Sequence, residues 1–233
     1  AASAFATIIL ERLLDLLTVL LLFGFYLLCF HPAAAEQHAA MLRALKSGGL
    51  LTASGAIAGL AGMMIAAGYP ETLAAWAQKV ERVVPPRAAS LVARLVKTFL
   101  QGLAIVRQPG RLAVAGLLSF PLWLSIAAGI WLGARAFAID MGYPASFLLM
   151  ALLVVGVTVP TPGSVGGYHK AYQIGAVAFF GVANDRAVAA ALVAHAISIV
   201  PVTLAGVVFL AQEGISLGRL RTLAAPDPGE EAR

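Results

Sequence analysis

Between Arg186 and Glu213 the chain runs through Ala187–Gln212 without one Asp, Glu, Lys or Arg. About 20 apolar residues in a helix cross the roughly 30 Å hydrocarbon core of a bilayer, and this run is longer. Its apolar part, 187–211, is one of six apolar segments. The others cover 4–30, 50–69, 112–139 with Pro121 inside it, 144–160, and about 167–182. The pattern predicts an all-α polytopic membrane helix bundle. The fourth and fifth segments are the shortest, and VPTPGSVGG (Val159–Gly167) separates them. Residues 144–182 therefore read either as two spans or as a re-entrant broken-helix pair, and parity of the topology is the same for both.

Composition excludes the soluble classes. Of 233 residues, 61% are hydrophobic and 12% charged, with mean hydropathy +0.90. A soluble domain carries roughly 25% charged residues. No polar stretch is long enough for a soluble catalytic domain. Cys29 is the single cysteine, so no internal disulfide forms, and its apolar setting predicts a small packing residue. The N-terminus lacks a basic n-region, and its apolar run is too long for a signal peptide. The net charge of +5 points to basic inside loops and not to nucleic acid.

Residues 70–111 differ from the rest. Leu73, Trp76, Val80 and Val83 recur at helical spacing, and Leu91, Leu95, Phe99, Leu103 and Val106 form a second stripe beyond Pro85 and Pro86. Two amphipathic helices at the interface, or a solvated connecting hairpin, fit this pattern. The segment holds Lys79, Arg82, Arg87, Arg94, Lys97, Arg107 and Arg111, which makes it cytoplasmic by the positive-inside rule. Both termini then lie inside as well, and 31–49 lies outside. The expected organisation is spans one and two in 1–69, the cytoplasmic pair in 70–111, the remaining segments in 112–211, and a partly disordered cytoplasmic tail in 212–233. Gly55, Gly59, Ala58 and Gly62 form small-residue steps that suit close helix packing within the chain more than a dimer.

Two places could carry chemistry. In ERLLD, the charged residues Glu11, Arg12 and Asp15 interrupt the first apolar segment. Their i,i+3 and i,i+4 spacing puts them on one flank of a helix. Ionisable residues inside a span usually face the bundle interior or a wet cavity, and snorkelling to the interface is the plain alternative, open to Glu11 and Arg12 more than to Asp15, which is expected to face the interior. In VPTPGSVGGYHKAYQ, Pro160 and Pro162 end one helix, while Gly163, Gly166 and Gly167 permit irregular backbone. A new helix begins near Gly167, with Tyr168, His169 and Lys170 in its first turn. Free amides at a helix N-terminus attract anions, and broken helices of this kind form transporter substrate sites. Lys170 adds a point charge suited to phosphate. An ordinary extramembrane turn is the other reading. His195 lies inside the last segment, where hydrogen-bonded packing or a proton relay could use it. His31 and His38 fall in the expected outside loop. No catalytic triad, Walker A loop or metal-ligand spacing is visible, so no catalytic residue, metal or cofactor is expected.

At ERLLD and PTPGSVGGYH the chain resembles the flippase-like membrane family, the transmembrane region of lysylphosphatidylglycerol synthases and its stand-alone relatives. The matching residues are Glu11, Arg12 and Asp15, then Pro160, Pro162, Gly163 and Gly166, then Phe180, Gly181 and Val182. Ser164 stands where that family commonly has glycine, and His169 where it often has glutamate. Family members usually carry further spans before ERLLD. The resemblance implies movement or presentation of a phospholipid or isoprenoid-phosphate headgroup across the cytoplasmic membrane. It also leaves open a scaffold subunit of a lipid-modifying synthase, or an embedded transferase acting on a lipid-linked substrate. The expected partners are the bilayer and a lipid with an anionic or phosphate headgroup, with a second copy of the chain or a synthase as further candidates.

Overall fold

The computed structural model describes residues 2–30, 38–69 and 108–213. The amphipathic pair expected at 70–111 thus lies almost wholly outside the described residues, as do His31 and the tail beyond Glu213. The described residues form six α-helices: α1 (Ala2–Cys29), α2 (Ala39–Gly68), α3 (Pro109–Ala136), α4 (Ser146–Val157), α5 (Gly167–Phe180) and α6 (Asn184–Gln212). Short 3-10 turns at Tyr143–Ala145 and Pro162–Ser164 lead into α4 and interrupt the α4–α5 connection. The all-α membrane bundle is the observed architecture.

By length and composition, α2, α3 and α6 can each cross a membrane. α1 has 28 residues and carries the three charges of ERLLD. α2 starts at Ala39, before the expected boundary at 50, and takes Arg43 and Lys46 into the helix. α4 and α5 are different. Their 12 and 14 residues rise only about 18 and 21 Å. Neither reaches across about 30 Å of hydrocarbon. These lengths fit the broken-helix pair of the two readings of 144–182, because Pro160 and Pro162 end α4 early and Gly181, in the left-handed region at φ 62°, ends α5.

α4 and α5 pack on each other as an antiparallel pair through small residues. A Cβ at Gly156 would lie 2.5 Å from Ala171 Cβ and 2.6 Å from the Gly167 carbonyl oxygen. A Cβ at Gly167 would strike the Gly156 carbonyl oxygen, and one at Gly175 would sit 2.7 Å from Leu149. Only glycine permits this backbone approach. The expected small-residue steps of α2 serve less: Gly59 abuts Leu13 of α1, while Gly55 and Gly62 meet nothing within 4 Å among the described residues.

The hairpin is the centre of the molecule. Leu148, Leu149, Met150, Tyr172 and Ala176 are fully buried, and α1, α3 and α6 pack around them. α4 is apolar on all sides, as a helix enclosed by other helices must be. The ring of His38, at the α1–α2 connection, lies against Phe179 near the end of α5. That connection and the α5–α6 turn therefore share one side of the bundle, and the hairpin enters from it. Trp131 Nε1 donates to the Met141 carbonyl and the Tyr143 hydroxyl to the Leu124 carbonyl, which fastens the α3–α4 turn onto α3. Cys29, expected to pack, is exposed at the end of α1.

Candidate functional site at the hairpin tip

Pro160, Pro162 and the glycines shape a tip that runs from Thr158 to Gly166. Gly163, Ser164 and Gly166 all have positive φ, at 61°, 57° and 94°. The turn is held by the Ser164 amide to the Thr161 carbonyl and the Val165 amide to the Pro162 carbonyl. Pro162, Gly163 and Gly166 are exposed. The first intrahelical bond of α5 runs from the Lys170 amide to the Gly166 carbonyl. The amides of Gly167, Tyr168 and His169 therefore have no intrahelical acceptor.

Depth follows from the neighbours on α6. The His169 and His195 rings meet at 2.9 Å between Nε2 and Nδ1. Tyr168 stacks on His195 with centroids 4.7 Å apart, and Tyr168 and Ser198 line the same cavity. Ser198 stands about 21 Å along an α6 about 43 Å long. The start of α5 thus lies roughly halfway along a helix long enough to span the bilayer.

Beside Tyr168 is a cavity of about 610 Å³ between α3, α4 and α6. Its walls are mostly apolar, with Ile130, Leu153, Val157 and Ile197 among them; Ser198, Tyr168 and Trp123 bring polar groups. Trp123 also joins the cavity to ERLLD. Its Nε1–H donates to Asp15 Oδ1 at 3.1 Å, and Ser119 Oγ donates to the same oxygen at 3.3 Å.

The three charges of ERLLD do not act as one flank. Asp15 is 6% exposed and turned toward α3. Arg12 and Glu11 are exposed at 64% and 61%, and they pair with each other at 2.7 Å. Arg12 reaches Asp15 only at 3.6 Å. At a 100° step, helix positions 11 and 12 straddle the packed seam while 15 points into it. Of the residues singled out near the tip, Tyr168, His169 and His195 come together. Lys170 does not join them. It is exposed and donates to Gln173 Oε1 at 3.0 Å, and Gln173 in turn donates to Asn184 Oδ1, so its ammonium points along α5 away from the tip.

Sequence reasoning missed Trp123, Ser119, Ser198, Thr161 and Tyr172. The signal for the first two was present: hydrogen-bond donors one turn apart, at 119 and 123, in the apolar stretch 112–124 of α3. Thr161 Oγ1, Tyr172 Oη and His195 Nε2 are buried and lack hydrogen-bond partners among the described residues. Buried polar atoms are nearly always satisfied, so these three ask for a polar occupant nearby. Among the described residues no three His, Cys, Asp or Glu side chains gather as metal ligands.

No curated protein and no solved structure matches the chain. The family described as the lysylphosphatidylglycerol synthase TM region matches residues 1–206, which include ERLLD, the hairpin and most of α6. A multi-pass helical bundle with that match over most of its length belongs to the lysylphosphatidylglycerol synthase TM region family, a membrane domain associated with lipid synthases and flippase-like proteins.

Proposed function

We propose that this protein moves a phospholipid or isoprenoid-phosphate headgroup across the cytoplasmic membrane, with the basic segment 70–111 on the cytoplasmic side. The observation that carries the reading is the hairpin tip, set roughly halfway along α6 beside a cavity of about 610 Å³. A lipid presents two chemistries, an anionic head and apolar chains. The tip offers unpaired amides at a helix N-terminus, where the macrodipole favours an anion. The adjacent cavity offers apolar walls. Irregular backbone at membrane depth is tolerated where protein encloses it or where it lines a cavity, and it is the usual construction of a transporter site. Trp123, which lines this space, is itself hydrogen-bonded to the Asp15 side chain.

The test is a reconstituted flip assay with a fluorescent phospholipid and a membrane-impermeant quencher. Wild-type protein should accelerate loss of inner-leaflet fluorescence relative to empty liposomes. Ala194→Phe, which fills the cavity, should slow that rate about tenfold, equivalent to ~1.4 kcal/mol of barrier. In parallel, Ser164→Cys should label poorly from both sides with a bulky impermeant thiol reagent. A wild-type rate equal to that of empty liposomes, together with fast labelling of Ser164→Cys, rejects the reading.

A further inference from the structure

The hydrogen bonds around His169 leave one arrangement of protons for the neutral pair. The Gly166 amide donates to His169 Nδ1 at 3.2 Å, so that nitrogen is unprotonated. A neutral imidazole carries its proton on the other nitrogen. His169 Nε2–H then donates across 2.9 Å to His195 Nδ1. His195 in turn carries its proton on Nε2, the buried atom without a partner among the described residues. Every ring lone pair in this chain is already engaged as an acceptor. A further proton can enter only by displacing a donor.

The accessible place for it is His169 Nδ1. Gly166 is exposed, and its positive φ is open to glycine in either direction. His195 is 6% exposed, and its Nδ1 is covered by His169. When a proton from solution adds to Nδ1, two N–H groups face each other and the Gly166 amide must leave. His169 then keeps its Nε2–H bond to His195, which steadies the imidazolium. Two donors, the Nδ1–H and the released amide, stand together at the tip beside the amides of Gly167 and Tyr168. Among the described residues no carboxylate is placed to take them. α4 carries no titratable group. On α5 the neighbours are Tyr168, stacked on His195, with Tyr172 one turn on and Lys170 turned to Gln173. On α6, Asp185 and Arg186 lie about 14 Å before His195 along the helix. Arg111 and Arg135 lie near the ends of α3. On α1, Asp15 is held by Trp123 and Ser119, and Glu11 by Arg12.

We propose that His169 binds a proton at Nδ1 and the hairpin tip binds an anionic phosphate group as one linked event, so that one proton accompanies each anion onto the site. The sign follows from the geometry. The anion favours the charged ring, so anion binding is strongest at low pH and is lost as pH rises through the His169 midpoint of the complex. The idea rests on the proposed movement of a phosphate-bearing lipid and supplies that movement with an ion to couple to. Linkage without movement would leave the same site as a proton-dependent headgroup holder.

The experiment uses the full chain with ¹⁵N-labelled histidine in phosphatidylcholine vesicles, read by solid-state NMR with no gradient applied. His169 is assigned by loss of its signals in His169→Gln. At high pH both rings should show the Nε2–H tautomer. Phosphatidylglycerol added to the vesicles, or inorganic phosphate added to the buffer, should raise the His169 midpoint by about one pH unit, a tenfold linkage. A shift with phosphatidylglycerol alone assigns the anion to a lipid, and a shift with inorganic phosphate assigns it to the soluble group; both support the linkage. His169→Gln retains an acceptor for the Gly166 amide, as in a capping box, but takes no proton. Its binding of phosphatidylglycerol, a diester that has no proton to lose in this range, should be independent of pH between 5 and 8, where histidine titrates. An unchanged midpoint with both anions, an Nδ1–H tautomer at His169, or pH-dependent binding of phosphatidylglycerol in His169→Gln overturns the proposal. The flip assay reads movement separately, so either idea can fail alone.

Discussion

Asp15 and the hairpin tip both bring polar atoms into apolar helices, and they are satisfied in opposite ways. Asp15 sits in an unbroken helix and takes its partners from α3: Trp123 Nε1–H and Ser119 Oγ on one oxygen, with Arg12 at 3.6 Å from the other. The tip breaks its helix and leaves the first amides of α5 without intrahelical acceptors, and Thr161 Oγ1, Tyr172 Oη and His195 Nε2 lack partners among the described residues. A buried carboxylate is tolerated only with donors around it, and Asp15 has them. Such a group fixes how α1 meets α3. Unsatisfied donors held in place by glycine packing are instead available to a ligand. From this comparison we propose a positioning role for ERLLD and a binding role for PTPGSVGGYH.

The largest effect should come from the packing that holds the tip. Gly156→Leu puts a side chain where Gly167 and Ala171 already lie, and overpacking of this kind costs about 3 kcal/mol. Thermal unfolding in detergent should show the loss. Near-normal stability would mean that the hairpin can separate freely, which ends the case for a preformed tip.

The next effect separates the partners of Asp15. Trp123→Phe removes a donor from a buried carboxylate and should cost about 1–3 kcal/mol. Arg12→Ala should cost only about 0–1 kcal/mol, since Arg12 is mostly exposed and already paired with Glu11. The same denaturation assay, with Asp15→Asn as the background for each change, reads the coupling energies. A larger coupling to Arg12 than to Trp123 would reverse the assignment and return ERLLD to a charge cluster.

The smallest effect tests strain at the tip. Ser164 is held at φ 57°, where a residue with a Cβ is disfavoured by about 1–2 kcal/mol. Ser164→Gly relieves this and gives some of it back as unfolded-state entropy, for a net gain of about 0.5 kcal/mol. An equally small loss would show that the Ser164 side chain contributes to the turn.

Much of this chain's local structure is legible in its residues. Apolar runs mark the long helices because a bilayer demands about 20 such residues. Pro160, Pro162 and the glycines mark the break because proline lacks an amide hydrogen and glycine alone accepts positive φ freely. α5 begins at Gly167 as those residues predict. These are short-range rules, decided within a few positions of the chain. Tertiary structure alone decided that the donors to Asp15 are Trp123 and Ser119, that Lys170 points away, and that His169 meets His195. A helix that is apolar around its whole circumference carries no stripe to say which face packs, so the partner of each polar side chain is settled only when the helices dock. That docking depends on Gly156, Gly167 and Gly175, whose absent side chains set the approach of α4 to α5 and leave no hydrophobic period to read.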